Sequence, residues 1–215
     1  DVFFVISGFL ITSIIKRDIE VESFSYVQFY ERRARRILPA LLLILVISFP
    51  IAWKSMLPAE MKAYSVSIIG ALLFFSNIVF WRQSGYFDVA AELKPLIHTW
   101  SLSVEEQFYI LFPTLMLFLF KHKKIRAIKV FLLLAVISAV LCQYYSLSDP
   151  NQNFFSSLTR AWELLAGAIC ALINPKQHSR IGELSGSAGL AAILASMGYF
   201  SSIDNLPSYL SFVPV

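Results

Sequence analysis

Five stretches of this 215-residue chain carry no charged side chain for 14 to 20 residues at a time: 2–15, 37–53, 63–81, 130–148 and 184–203. A helix needs about 20 apolar residues to cross the hydrocarbon core of a bilayer. A lone strand there would leave its backbone polar groups unsatisfied. Two further runs, 103–120 and 154–173, are apolar apart from charges near their starts, Glu105 and Glu106 in the first and Arg160 and Glu163 in the second. The pattern predicts an all-α fold, a polytopic transmembrane helical bundle with about seven membrane segments in this chain. Pro50 and Pro113 fall inside two of the runs. Each frees the carbonyl four residues back, Val46 and Tyr109, so kinks are expected there.

Composition supports this. The chain is 57% hydrophobic and 15% charged, whereas a soluble domain has about a quarter of its residues charged. That excludes a soluble enzyme, a disordered tail and a secreted disulfide scaffold. The net charge of +4 does not point to nucleic acid, because the basic residues lie between apolar runs and not on one continuous face. Cys142 and Cys170 each sit within an apolar run and form no CxxC pair, which reads as buried small hydrophobes and not as a metal or redox site. An apolar run begins directly after Asp1, and the chain stops at Val215 without a tail. The expectation is an internal fragment of a longer protein, residues 1–215 forming part of one transmembrane domain.

Lys and Arg in short loops set orientation. Residues 16–36 hold six of the 18 basic residues and residues 121–129 hold five more. Both should face the cytoplasm, joined by 174–180 with Lys176 and Arg180, while 148–153 should lie outside. One conflict arises. Three apparent segments separate the two strongly basic loops, and an odd count places them on opposite sides. Either one segment does not cross fully or residues 85–103 dip in and return, and the second option is preferred because that stretch is polar yet carries Tyr86, Phe87, Leu96, Ile97 and Trp100. No internal repeat is visible.

Three charged clusters stand out. In the first, Arg32, Arg33, Arg35 and Arg36 precede Pro39 and would share about half of a helix circumference. With Pro39 in the first turn of the next span, unpaired N–H groups would lie beside the guanidinium forks, a combination suited to phosphate. The same arginines could equally serve topology and lipid headgroups. In the second, His98 precedes Glu105, Glu106 and Tyr109. Adjacent carboxylates opening an apolar helix usually face a cavity or a partner, although Ser103 and Glu106 also match a capping box. His98 by itself suits an interfacial position, and Ser103 stands where an HxxxxD acyltransferase motif needs Asp. In the third, Arg160 and Glu163 share a helix face and can neutralise one another. Gly167 and Ala168, just beyond, would let a neighbouring helix approach closely. No Walker loop, GxSxG elbow, HExxH or dinucleotide fingerprint is present,.

Four stretches taken together, Asp1 to Thr12 (DVFFVISGFLIT), Phe29 to Pro39 (FYERRARRILP), His98 to Tyr109 (HTWSLSVEEQFY) and Arg160 to Gly167 (RAWELLAG), strongly resemble the acyltransferase-3 family, whose members include bacterial O-antigen and peptidoglycan O-acetylases. The likeness is clear over residues 1–175. It implies a ten-helix, multi-pass domain of the bacterial inner membrane that takes an acyl group, commonly acetyl, from cytoplasmic acetyl-CoA or another acyl-CoA. The acceptor it implies is a hydroxyl of an envelope glycan or glycolipid such as O-antigen, lipopolysaccharide or peptidoglycan. The acyl-CoA is a substrate, with no bound cofactor or metal. The family's RxxR pair falls on Arg33 and Arg36, with Arg32 and Arg35 as neighbours, and favours the phosphate reading of that cluster. His98, Glu105, Glu106, Tyr109, Arg160 and Glu163 would form an intramembrane polar site. The resemblance also places the catalytic histidine on a helix before Asp1, so the fragment alone should be inactive. A glycolipid or acyl-carrier transporter without bond chemistry is the alternative.

Overall fold

The computed structural model describes residues 1–84, 94–120, 124–173, 180–199, 207–213 and 215. Its regular elements are α1 (Val2–Glu20), α2 (Tyr26–Ser55), α3 (Pro58–Leu72), α4 (Ser76–Arg82), α5 (Thr99–Phe120), α6 (Lys124–Ser148), α7 (Pro150–Phe155), α8 (Ser157–Ile173), α9 (Arg180–Tyr199) and a 3-10 turn at Tyr209–Phe212. It is an all-α membrane bundle. By length and apolarity, Tyr26–Ser55, Thr99–Phe120 and Ala127–Ser148 can each cross a bilayer. Their outward side chains fit that setting, with Leu43, Val46 and Ile51 of α2 and Leu133, Val140 and Leu147 of α6 all exposed.

The centre of the bundle is α8. Ten of its 17 residues are buried, as expected of a helix surrounded by others. On α1 the buried positions Phe4, Gly8, Ile11, Thr12 and Ile15 form one face at helical spacing. That face lies on α8 through Gly8 and Gly167, where backbone meets backbone. The approach foreseen at Gly167 is therefore made, with α1 as the neighbour. Ile11 and Ile15 continue into a core with Tyr109, Phe112 and Met116 of α5, Phe131 of α6, and Leu165, Ala168 and Leu172 of α8.

These pairings fix direction. Asp1 meets Arg160 and Ser7 meets Glu105, while Ile11 and Ile15 meet the later turns of α5 and α8. Helices α1, α5 and α8 therefore run parallel, and their C-terminal ends emerge on one side. The start of α2 lies on that side too, because it follows the end of α1 and the Tyr26 hydroxyl donates to Thr114 Oγ1 in the second half of α5. The basic segment that follows α1 consequently lies on the side of the bundle where α5 ends.

The odd count of segments is resolved at residues 63–81. That run is not one span. It breaks after α3 at Leu73–Phe75, with Phe74 in the left-handed region at φ 56°, and α4 folds back against α3. Gly70 permits the reversal, since its Cα side faces Val79 Cγ2 and Ser76 Cα. At the far end of α4, Gln83 Nε2 donates to the Ala63 carbonyl near the start of α3. The pair is a hairpin whose two ends lie together, so this run returns the chain to the side it came from and the count of straight segments between the basic loops becomes even. Of the stretch 85–103 favoured for that role, residues 85–93 lie outside the described residues, and 95–98 form turns leading into α5.

Several boundaries differ from expectation. Helix α2 starts at Tyr26, so Pro39 lies in its interior and the N-terminus of α2 stands more than a turn before the arginines. Nothing between Tyr26 and Arg36 breaks a helix, and Phe29 is buried, so the charged run continues into the apolar one. The run at 154–173 is divided at Ser156 into α7 and α8. Cys142 is buried, whereas Cys170 is exposed on the outer side of α8.

Candidate functional site

Two buried polar clusters lie along the α1–α5–α8 seam. In the inner one, α5 presents Glu105, Glu106 and Tyr109 to the interior, all buried. Ser7 Oγ donates to Glu105 Oε1 at 3.0 Å, and the Tyr109 hydroxyl donates to Glu105 Oε2 at 3.4 Å. The Arg33 guanidinium lies over the Tyr109 ring, 5.1 Å from its centroid, and its charge reaches both Glu105 and Glu106. Glu106 Oε1 is buried with no hydrogen-bond partner among the described residues.

Arg33 also borders a cavity of about 160 Å³ lined by Ile14, Phe29, Arg32 and Arg36. Residues 29, 32, 33 and 36 share one helix face, which explains why Arg35 does not join them. Arg35 points to the surface and pairs with Glu31 at 2.7 Å, an exposed i,i+4 pair. Arg32 is held at 2.8 Å by Asp18 of α1, which Arg17 also approaches. Three guanidinium groups thus converge on one cavity, and Asp18 offsets part of their charge.

Proline shapes this region as well. Pro113 removes the donor that would bind the Tyr109 carbonyl. The Tyr30 hydroxyl of α2 occupies that place, 3.5 Å from the Tyr109 oxygen and 3.0 Å from that of Ile110.

The outer cluster centres on Arg160, 3% exposed, and Glu163, fully buried. Arg160 Nη1 donates to Glu163 Oε1 at 2.8 Å and to Asp1 Oδ1 at 2.5 Å. Its guanidinium lies over the rings of Trp100 and Phe154, 5.7 and 5.3 Å from their centroids, and those rings pack on one another. Phe4, Val104 and Leu164 form a buried apolar layer between the two clusters. The predicted polar residues therefore fall into two sites, one on each side of that layer.

His98 joins neither. Its side chain is exposed in the turn before α5, and from this stretch it is Trp100 that meets Arg160. The capping-box reading of Ser103 and Glu106 is overturned, because α5 already begins at Thr99. Ser103 instead bonds the hairpin tip, with its Oγ accepting from the Ser76 N–H at 3.2 Å and lying 2.7 Å from Ser76 Oγ. Beside it, Gln107 Nε2 donates to the Phe74 carbonyl and to Asn77 Oδ1, and Ser157 Oγ donates to Gln107 Oε1. This amide–hydroxyl network locks the α3–α4 hairpin to α5 and α8. Ser7, Asp18 and Tyr30 were not singled out by sequence, since a lone hydroxyl or carboxylate has no periodic signature.

Fold and site together define a multi-pass, all-helical membrane protein with buried, paired charge and a basic cavity on one side. The chain belongs to the acyltransferase domain family known as acyltransferase 3, which it matches over residues 1–214. It is similar to an uncharacterized protein of Haemophilus influenzae, 36% identical over 225 aligned residues that span all of this chain and 90% of that protein. It is also similar to the O-acetyltransferase OatA of Staphylococcus aureus, 36% identical over 182 residues that span 81% of this chain and 30% of OatA. No solved structure matches the chain.

Proposed function

We propose that this chain is the donor-side membrane part of an O-acyltransferase of the bacterial inner membrane. It would move an acyl group, acetyl in the first instance, from cytoplasmic acyl-CoA to a hydroxyl of an envelope glycan such as O-antigen, lipopolysaccharide or peptidoglycan. The observation that carries the reading is the cavity bordered by Arg32, Arg33 and Arg36 directly beside the buried carboxylates Glu105 and Glu106. Guanidinium forks suit the phosphates of CoA. Buried carboxylates suit proton transfer during attack of a hydroxyl on a thioester. The name of OatA as an O-acetyltransferase supports the same chemistry.

The basic cavity opens on the side where α1, α5 and α8 end and where Lys and Arg are concentrated, in keeping with a cytoplasmic donor. The outer cluster of Asp1, Arg160 and Glu163 serves as a brace between α1 and α8. Inverted membrane vesicles carrying the full-length protein, given acetyl-labelled CoA, test the reading. Label in envelope glycan, lost on Arg33→Ala with Arg36→Ala, is the expected result. Movement of glycolipid with no label incorporated would favour transport instead.

A further inference from the structure

Helix α1 carries three hydroxyl groups, on Ser7, Thr12 and Ser13, and they behave differently. Thr12 Oγ1 donates to the Gly8 carbonyl at 2.7 Å and Ser13 Oγ to the Phe9 carbonyl at 2.8 Å. Both make the back-bond to position i−4 that is usual for hydroxyls inside helices. Ser7 does not. Its hydroxyl is turned away from its own helix and given to the Glu105 carboxylate of α5. Glu105 is 7% exposed and is oriented on its other oxygen by Tyr109. Ser7 itself is only half-buried. Its position is rigid, because Gly8 seats the adjoining backbone against α8.

A hydroxyl within hydrogen-bond reach of a carboxylate base, with that base oriented by a third group, is the arrangement of an activated nucleophile. We propose that Ser7 is the nucleophile that first receives the acyl group, forming an ester that precedes transfer to the glycan. The proposal rests on the acyltransferase reading given above and deepens it. Ser7 Oγ attacks the carbonyl carbon of the acyl thioester while its proton passes to Glu105. The new O–C bond forms, the C–S bond breaks, and the proton moves from Glu105 to the departing thiolate. In the second half, the acceptor hydroxyl attacks the ester carbon and loses its proton through Glu105 to Ser7 Oγ, which restores the serine.

The location suits a carrier. Ile14, at the basic cavity, lies seven residues from Ser7, about 10 Å along α1 at 1.5 Å per residue. A thioester-bearing arm anchored by its phosphates at Arg32 and Arg36 can extend over that length. Ser7 then stands one turn from Phe4, at the edge of the apolar layer that separates the inner and outer clusters. An ester there holds the acyl group, stripped of its large charged carrier, at the boundary it has to pass.

The full-length protein in detergent, given radiolabelled acetyl-CoA without any glycan, provides the test. The expected result is one acetyl ester per chain on a peptide containing residues 1–15, stable at neutral pH and released by alkaline hydroxylamine. Ser7→Cys should convert it to a thioester released by neutral hydroxylamine, and Ser7→Ala should abolish it. Glu105→Gln should slow its formation by about 100-fold or more, the usual share of a general base. Peptide mapping of the wild-type protein decides the matter without reliance on any variant. In a parallel reaction with envelope glycan supplied, label that reaches glycan with none passing through residues 1–15 overturns the nucleophile and leaves the acyltransferase reading intact. Label on neither glycan nor protein overturns both.

Discussion

Gly8 of α1 and Gly167 of α8 each lie against the backbone of the opposite helix. A Cβ at Gly8 would fall 1.9 Å from the Leu164 carbonyl oxygen, and one at Gly167 would fall 1.9 Å from that of Val5. Neither side can yield by turning a side chain, since the obstacle is main chain in both directions. Everything that depends on the α1–α8 seam, including the Ser7–Glu105 contact and the Arg160–Asp1 contact, depends on this approach.

Gly8→Ala and Gly167→Ala should each therefore be strongly destabilising, by about 3 kcal/mol or more, the upper range for forced overpacking. Gly186→Ala and Gly189→Ala on α9 provide the contrast, because an added Cβ there meets nothing within 4 Å. Those two should be neutral or stabilising by up to about 1 kcal/mol through helix propensity. Thermal denaturation in detergent, read as loss of monodisperse protein, separates the two pairs.

Arg160 should not tolerate Lys. Its guanidinium serves two carboxylates and two aromatic rings at once, a geometry that a single ammonium cannot reproduce. Arg160→Ala leaves Glu163 buried and unpaired and should cost about 3–5 kcal/mol. Exchanging the pair, Arg160→Glu with Glu163→Arg, should not restore stability, because Asp1 would then face a carboxylate. Melting curves of the single and double variants measure this directly. Full recovery in the exchanged protein would reduce the cluster to a simple two-residue ion pair.

Tyr30→Phe should cost about 1 kcal/mol, the net worth of a typical hydrogen bond. The cost should fall when Pro113→Ala is present, because alanine returns an N–H to the Tyr109 carbonyl that Tyr30 otherwise approaches. A double-mutant cycle on unfolding free energy measures that coupling, and strict additivity would show the two sites to be independent.

The arginines should divide into two classes. Arg36→Ala, facing the cavity, should raise the KM for acetyl-CoA by about 10- to 100-fold, as expected for losing a charged hydrogen bond to phosphate. Arg35→Ala should leave it nearly unchanged, since Arg35 points to the surface and pairs with Glu31. Equal losses at the two positions would argue for an undirected basic patch.

The α3–α4 hairpin predicts sidedness. In a cysteine-free background, Ala59→Cys and Ser84→Cys should both react with a membrane-impermeant thiol reagent from the outside, whereas Ser23→Cys should react only after permeabilisation. Labelling of residues 59 and 84 from opposite sides would show residues 63–81 to cross after all.

The amino-acid sequence by itself determined the class of fold and the identity of most charged groups at the site. Charge-free runs near the length of a bilayer permit little other than helices, and side chains such as Glu105, Arg160 and Glu163 stand out there because lipid does not solvate them. The Arg33–Arg36 pair was marked by the family resemblance, and Gly167 by the close approach that a small residue permits between helices. Tertiary structure alone decided three things. It divided the polar residues into two clusters, with Phe4, Val104 and Leu164 between them, because depth in a bundle follows from how parallel helices are staggered and not from order along the chain. It turned 63–81 back on itself, because the tip of the hairpin finds Ser103, Gln107 and Ser157, partners on helices that no local pattern connects to it. It also brought Ser7 to Glu105 across 98 residues of sequence, beside the point where Gly8 and Gly167 let the backbones of α1 and α8 touch.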